Sequence, residues 1–264
     1  MPWKCAASQH TIAVTTHADG LHLLTVDGDF VQIVPDSKQA SCVAFYPRNT
    51  SILAIGYKDG SVCTWDMFTR VCTSKFNKHT KHASNIRFSL DCRMYISSFD
   101  KTASIATLDD QFRIVTSVKL QGHTDLVNDI LPLPSLNNKC VTCSQDTTMK
   151  VWNCKTGACL RTLNEHTHWV TALALHPNGQ YFASGSEDYF VIVWSTETFE
   201  VQQQIPLPQL VLSVVFDESD AIYAAVHGHG VMSCYSLSGE VGPVVISGSG
   251  GIPGLALGRL SMCS

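Results

Sequence analysis

SQDTTMKVWN at residues 144–153 and SEDYFVIVWS at residues 186–195 share Ser, Asp, Val and Trp in register, 42 residues apart. The same spacing continues along the chain. The corresponding turn residues are Asp19, Asp59, Asp100, Asp146, Asp188 and, in altered form, His229. The sixth residue after each turn is Thr25, Trp65, Ala106, Trp152, Trp194 and Tyr235. A self-similar period of 40 to 46 residues predicts a repeat architecture of six units.

Each unit contains four short segments with the alternation and β-branched content of β-strands. In the fifth unit these are WVTALAL (169–175), YFASGS (181–186), FVIVW (190–194) and EVQQQI (200–205), with a turn at HPNG (176–179). The second unit gives SCVAFYP, SILAIGY, SVCTWD and RVCTSKF in the same order. No segment has a useful helical period, so the sequence predicts an all-β fold.

The repeated residues resemble those of the WD-repeat family, whose signature is a Gly-His pair, an Asp turn and a Trp-Asp strand end. The matches are Gly122-His123, Asp146 and Trp152-Asn153; Glu165-His166, Asp188 and Trp194-Ser195; Asp59 and Trp65-Asp66; and His79 with Asp100. The resemblance covers about residues 1–246. It implies a β-propeller, in which stacked four-stranded sheets cover faces that one sheet alone would leave exposed.

The resemblance implies about six recognisable four-stranded blades, with an incomplete seven-bladed ring as an alternative. The predicted units are 1–37, 38–77, 78–120, 121–163, 164–206 and 207–246, and residues 247–264 are predicted to form a loop and one extra strand. The first unit starts directly at its innermost strand near Trp3. Closure of six blades, a truncated or spliced form of a longer chain, and completion by a partner or second copy all stay open.

Composition limits the function classes. The net charge is −4, and the 18 Lys and Arg residues are scattered, which disfavours direct nucleic-acid binding. No apolar segment has the length of a membrane span or a signal peptide. The 11 cysteines are spread along the chain and odd in number, so we interpret them as reduced thiols. We therefore expect a cytoplasmic or nuclear protein.

The repeated His and Asp residues are predicted to brace the blades. In a meander the loop with His and the turn with Asp share one end, so His123 can meet Asp146. Thr142, or Ser184 in the next unit, could link such a pair to the tryptophan. The predicted bracing residues are His123, Asp146, Trp152, His166, Asp188, Trp194, Asp59, Trp65, His79 and Asp100. A Ser-His-Asp catalytic triad is the alternative, but a triad needs one copy and this set recurs about every 40 residues.

No metal or cofactor is predicted. Cys140 and Cys143 have the spacing of a zinc knuckle but fall on a predicted strand, without a second pair. His227 and His229 lie in a glycine-rich turn, where a decayed repeat is the simpler interpretation. No glycine-rich loop has the context of a phosphate site, and a small-molecule substrate is not expected.

Function is expected from loop residues that the repeat does not require. The candidate partner-binding residues are Trp169, Tyr189, His168, Tyr57 and Phe99, each with packing against a neighbouring blade as the alternative. We expect a non-enzymatic scaffold that binds proteins or peptides within a complex. The alternatives are a purely structural subunit of a large RNA-processing, cytoskeletal or ubiquitin-ligase assembly, and a nucleic-acid-binding propeller.

Overall fold

The computed structural model describes residues 5–8, 11–16, 20–25, 27, 29–34, 39–133, 138–217, 221–226 and 232–236. In these ranges the regular structure is entirely β, with 23 strands in six antiparallel sheets. They contain no helix of the length and apolar character needed to cross a membrane. The sequence features at Trp3, Asp19, His227, His229 and 247–264 lie outside the described residues.

The structure divides into two compact units, each of which is larger than one sequence repeat. The described part of the first compact unit extends to Gly122 and contains three four-stranded meanders. Sheet A comprises β1 (Cys5–Ala7), β2 (Thr11–Thr16), β3 (Gly20–Thr25) and β4 (Phe30–Ile33). Sheet B comprises β5 (Ala40–Tyr46), β6 (Asn49–Tyr57), β7 (Val62–Asp66) and β8 (Val71–Phe76). Sheet C comprises β9 (Ala83–Phe88), β10 (Arg93–Ser98), β11 (Thr102–Leu108) and β12 (Ile114–Gln121).

The second unit begins at His123. Sheet D comprises β13 (Val127–Leu133), β14 (Lys139–Ser144), β15 (Met149–Asn153) and β16 (Cys159–Leu163). Sheet E comprises β17 (Val170–Leu175), β18 (Tyr181–Ser186), β19 (Phe190–Ser195) and β20 (Val201–Pro206). Sheet F comprises β21 (Val211–Phe216), β22 (Ala221–Val226) and β23 (Met232–Ser236) among the described residues. The predicted all-β class and the repeated four-stranded meander are confirmed, and the alternatives for ring closure stay open.

Burial follows strand position within each sheet. In sheet E the second strand is buried along almost its whole length, whereas the fourth strand exposes alternate residues. A strand covered on both faces is nearly continuously apolar, and an outer strand alternates. This pattern explains why EVQQQI can form a strand despite its three glutamines.

Successive sheets within a unit pack through their apolar faces. Between sheets D and E the core includes Val141, Leu173 and the Phe182–Trp194 ring pair, whose planes are 9° apart. Gly185 lets sheet F approach sheet E closely, because a Cβ at this position would lie 2.6 Å from Val211 Cγ1. A side chain there would force the two sheets apart.

A repeated hydrogen bond from a β-bulge also joins neighbouring sheets within each compact unit. The first strand of sheets B, D and E carries a bulge near its beginning. The bulged residue donates a hydrogen bond to the first residue of the next sheet: Ser41 Oγ to Ala83 O at 2.7 Å, Asn128 Nδ2 to Val170 O at 2.8 Å and Thr171 Oγ1 to Val211 O at 2.7 Å. We name these contacts the inter-sheet clasps. Leu212 occupies the bulge of sheet F and is 38% exposed.

Removing one clasp is expected to weaken the junction of sheets E and F. Thr171→Val keeps the side-chain shape but removes the hydroxyl, so we expect the free energy of unfolding to fall by about 1 kcal/mol. Thr171→Ser keeps the donor and is the matched control. Chemical denaturation of both variants measures the effect, and equal losses in the two would show that the hydroxyl contributes nothing.

Candidate functional site

The described His and Asp loops of sheets B, C, D and E lie at one end of each of these sheets, which we call the His/Asp end. At this end the second strand turns into the third, and the chain enters the first strand. These loops are 122–126 and 145–148 for sheet D, and 164–169 and 187–189 for sheet E. In the first unit they include 58–61 for sheet B, and 77–82 and 99–101 for sheet C.

Four side chains form one hydrogen-bonded chain in sheet D. His123 Nδ1 lies 2.7 Å from Asp146 Oδ2, and His123 Nε2 lies 2.7 Å from Thr142 Oγ1. Trp152 Nε1 donates to the same threonine oxygen at 2.8 Å. The Asp146 carboxylate also accepts the Thr124 backbone N–H at 3.0 Å. The carboxylate therefore connects two loops at the His/Asp end to the buried interior of the sheet.

Sheet E repeats this network with a serine in place of the threonine. His166 Nδ1 lies 2.7 Å from Asp188 Oδ2, and His166 Nε2 lies 2.7 Å from Ser184 Oγ. Trp194 Nε1 donates to Ser184 Oγ at 2.9 Å. The other acceptor near this hydroxyl, Ile192 O, is 3.5 Å away, so the hydroxyl proton is better placed for the imidazole.

The donors and acceptors assign the protons along each network. The indole N–H can only donate, so the hydroxyl oxygen accepts from the tryptophan and donates its own proton to histidine Nε2. Histidine Nδ1 then carries the proton that is donated to the aspartate. This is the neutral imidazole in its Nδ1–H form, with all of its polar atoms satisfied.

The two aspartates have lowered pKa values. Burial alone would raise the pKa of Asp146, but the hydrogen bonds that it accepts from His123, Thr148 and the Thr124 backbone N–H outweigh burial and hold the pKa below its usual range. Asp188 behaves in the same way beside His166. Each carboxylate is therefore stabilised in its ionised form by the fold.

Sheet C contains only half of the network. His79 Nδ1 lies 3.0 Å from Asp100 Oδ2, but Ile96 and Ala106 occupy the positions of the hydroxyl residue and the tryptophan. His79 Nε2 is consequently buried without a hydrogen-bond partner among the described residues. Burial would raise the pKa of Asp100, but the bonds from His79 and Thr102 hold it below its usual range.

Sheet B lacks the histidine connection at its Asp turn within the described residues. Asp59 Oδ1 instead accepts the backbone N–H and the hydroxyl of Ser61, at 2.9 and 2.7 Å, which lowers the pKa of Asp59. Trp65 packs into the core shared with sheet A. The structure therefore places Asp59 in a local turn and Trp65 in apolar packing.

These networks contain the residue types of a catalytic triad, but their hydroxyl groups are not accessible to a substrate. Thr142 and Ser184 are completely buried, and each hydroxyl already accepts from an indole and donates to an imidazole. A triad nucleophile must reach an external carbonyl. Neither hydroxyl can do so without unfolding of its sheet.

Two large aromatic side chains are exposed at the His/Asp end of sheet E. Trp169 is 41% exposed and Tyr189 is 49% exposed. His168 Nδ1 lies 3.3 Å from Glu187 Oε2, and its ring centroid lies 5.5 Å from that of Trp169. These side chains form a mixed aromatic and charged surface, which we call the sheet E surface.

Tyr189 has an unusual backbone conformation. The residue after the Asp turn has a positive φ in four sheets: 90° at Gly60, 72° at Lys101, 69° at Thr147 and 73° at Tyr189. A bulky side chain is disfavoured there, whereas glycine is not. Three of these four residues are not glycine, so the positive φ is a property of the turn position, and the large exposed ring is what distinguishes Tyr189.

The other two candidate aromatic residues are less exposed. Tyr57 packs against the core shared by sheets A and B, and its hydroxyl lies 3.4 Å from Cys63 Sγ. These contacts favour packing for Tyr57, which was the alternative interpretation. Phe99 is half-buried, with its ring centroid 4.7 Å from that of His82.

The candidate thiols for a metal are buried. Cys140 and Cys143 lie on β14 as free cysteines, and burial together with the neighbouring Cys154 raises the pKa of Cys140. Within the described ranges no three His, Cys, Asp or Glu side chains converge as metal ligands.

Comparison with known proteins supports the repeat assignment. The family model described as "WD domain, G-beta repeat" matches residues 114–153 and 157–195. Relatives include nuclear distribution protein PAC1 of Arthroderma otae, 27% identical over 62% of this chain, and nuclear distribution protein nudF of Aspergillus niger, 24% identical over 58%. The alignments cover 37% and 35% of those relatives, so this chain spans little more than a third of their length. The matched residues fall within β12 to β19, and they support the resemblance of this part of the chain to WD repeats.

Removing the central hydroxyl tests the sheet E network. Ser184→Ala leaves both Trp194 Nε1 and His166 Nε2 buried without a partner, so we expect a loss of about 3 kcal/mol of unfolding free energy. Ser184→Thr keeps the hydroxyl, as in sheet D, and is the matched control. Urea denaturation distinguishes them, and a stability for Ser184→Ala equal to that of Ser184→Thr would rule out a bracing role.

Acid should remove the stabilisation by Asp188. Because its folded pKa is lowered, this stabilisation is complete above the unfolded pKa of about 4 and is lost as pH falls below it. Asp188→Asn is therefore expected to be less stable than wild type near neutral pH, with the difference shrinking in acid. Denaturation at several pH values measures this; a difference that is independent of pH would contradict it.

Proposed function

We propose that this chain is a non-enzymatic protein-interaction scaffold that binds a protein or peptide partner through the sheet E surface. The observation that carries the proposal is the exposure of Trp169 and Tyr189 at one end of a rigidly braced sheet. Tryptophan and tyrosine dominate the binding energy of protein interfaces because they bury large areas with few rotatable bonds.

The backbone beneath this surface is held in place. Thr167 N–H donates to Asp188 Oδ2 at 3.0 Å, and Glu187 N–H donates to Trp169 O at 3.0 Å. Ser186 Oγ donates to His168 O at 3.3 Å. A partner therefore meets a surface whose loops are already ordered, which reduces the entropy lost on binding.

The choice of tyrosine at residue 189 supports a binding role. Lys101 and Thr147 share its positive φ, so the strain belongs to the turn position, and the exposed aromatic ring is what sets Tyr189 apart from them. Since Gly60 occupies the same turn position in sheet B, the fold does not require the tyrosine. The exposed phenol ring is then best explained by what it contacts outside the chain.

The charge of the sheet E surface favours protein over nucleic acid. Asp125, Glu165 and Glu187 lie in the loops at the His/Asp ends of sheets D and E, and these loops contain no Lys or Arg. Phosphate groups would be repelled there. We place this binding function in the cytoplasm or nucleus, within a multiprotein complex; the relatives PAC1 and nudF are named as nuclear distribution proteins.

Truncation of the two aromatic residues tests this function. We expect Trp169→Ala and Tyr189→Gly each to reduce capture of specific partners from a eukaryotic lysate, with a loss of affinity of about thirtyfold for a hot-spot residue. Tyr189→Gly should be at least as stable as wild type, because it relieves the positive φ. Quantitative pull-down with thermal melting of each variant gives both readings.

Leu160→Ala is the control, since Leu160 is 50% exposed on the outer strand of sheet D. Its partner set should match that of wild type. A purely structural subunit would instead bind the same proteins with or without Trp169 and Tyr189, and that result would refute the proposed surface.

A further inference from the structure

A group of lysines lies at the His/Asp end of sheets B and C, away from the sheet E surface in sequence and in chemistry. Lys58, Lys78, Lys81 and Lys101 are all exposed there, on three loops of the first unit. No ion pair among the described residues engages Lys58, Lys78 or Lys81. We call this group the basic patch.

The loops that carry the basic patch are in direct contact. A Cβ at Gly60 would lie 2.6 Å from Lys81 O and 2.7 Å from His79 O, so the turn of sheet B rests on the backbone of the next loop. Gly60 also has a φ of +90°. A glycine is therefore required for this approach, which brings the loops of Lys58 and Lys81 together.

Hydrogen bonds join the loop of Lys81 to the turn of Lys101. Ser98 Oγ donates to Lys81 O at 2.8 Å, and Phe99 N–H donates to His82 O at 2.9 Å. The half-buried rings of His82 and Phe99, which belong to these same two loops, have their centroids 4.7 Å apart. The basic patch therefore combines lysines carried on connected loops with an aromatic edge.

The carboxylates of this end do not cancel the lysine charge. Asp100 is buried and accepts from His79, the Thr80 N–H and Thr102, so it faces the interior. Asp59 is exposed and accepts from its own turn. Lys58, Lys78 and Lys81 together with one exposed carboxylate leave the described loops of this end positive, although the whole chain carries a net charge of −4.

We propose that the basic patch binds an acidic segment of a partner protein, a peptide rich in Asp or Glu. Lysine ammonium groups act as flexible point charges without the fixed geometry of arginine. Such groups suit carboxylates distributed along an extended peptide. The His82–Phe99 edge offers an apolar contact to the same peptide. The occupant and the residues are distinct from those of the proposed sheet E surface.

An acidic peptide fits the patch better than nucleic acid does. The cations occupy only three loops and none of them is an arginine, whereas proteins that bind nucleic acids track several phosphates with extended basic grooves. The nearest base-stacking surface is one half-buried ring pair.

Fluorescence anisotropy with the whole chain tests the proposal. The probe is a labelled peptide of alternating glutamate and glycine, and its glutamine counterpart controls for backbone contacts. We expect Lys58→Glu and Lys81→Glu each to weaken binding by about tenfold, and added salt to weaken binding of the wild type. Lys155→Glu is the matched control, because Lys155 is exposed on the loop between β15 and β16 and gives the same change in net charge.

The comparison of these variants decides the outcome. Binding of the glutamate peptide that is lost in Lys58→Glu and Lys81→Glu, but kept in Lys155→Glu and Trp169→Ala, supports the basic patch. Equal losses in Lys155→Glu, equal binding of the glutamine peptide, or no binding would overturn it. Tighter binding of a single-stranded oligonucleotide of equal charge would overturn it in favour of nucleic acid. Loss in Trp169→Ala alone would instead assign acidic peptides to the sheet E surface.

Discussion

The hydrogen-bonded chain from tryptophan through hydroxyl and histidine to aspartate is the interaction on which sheets D and E depend. Backbone pairing holds the strands of a four-stranded meander together, but it does not fix the positions of the loops. The network connects the loops to the core through buried groups, each of which is satisfied by the next: Trp194 to Ser184, Ser184 to His166, and His166 to Asp188. Because an unpaired buried polar group is costly, the whole chain of bonds is favoured together.

Where the network is incomplete, other contacts hold the loops. In sheet C the histidine and aspartate remain, and Ser98 and Phe99 anchor the neighbouring loop through its carbonyl groups, as Ser186 and Glu187 do in sheet E. In sheet B the turn is fixed by Asp59 and by the close approach of Gly60 to the next sheet. The His/Asp ends thus differ in chemistry on a shared framework, aromatic with acidic groups in sheet E and basic in sheets B and C. We propose that this difference lets one repeated fold present two binding surfaces.

The repeat period and the strand alternation were enough to predict the fold class. The strand predicted at YFASGS coincides with β18, and the predicted hydroxyl partners Thr142 and Ser184 lie at the centre of the networks. The inter-sheet clasps were not foreseen, because Ser41, Asn128 and Thr171 share a bulge and not a residue type. A polar residue directly after the first apolar residue of each innermost strand was the available signal. The basic patch was missed for a related reason: its lysines are separated in sequence and converge only through loop contacts.

The most direct test of the bracing account is a double-mutant cycle between the two ends of one network. Trp194→Phe keeps a buried aromatic ring but removes the indole donor, and Asp188→Asn removes the carboxylate charge. The two side chains communicate only through Ser184 and His166 in the bonds described. The account predicts a coupling of about 1 kcal/mol in the free energy of unfolding, whereas additivity within about 0.3 kcal/mol would contradict it.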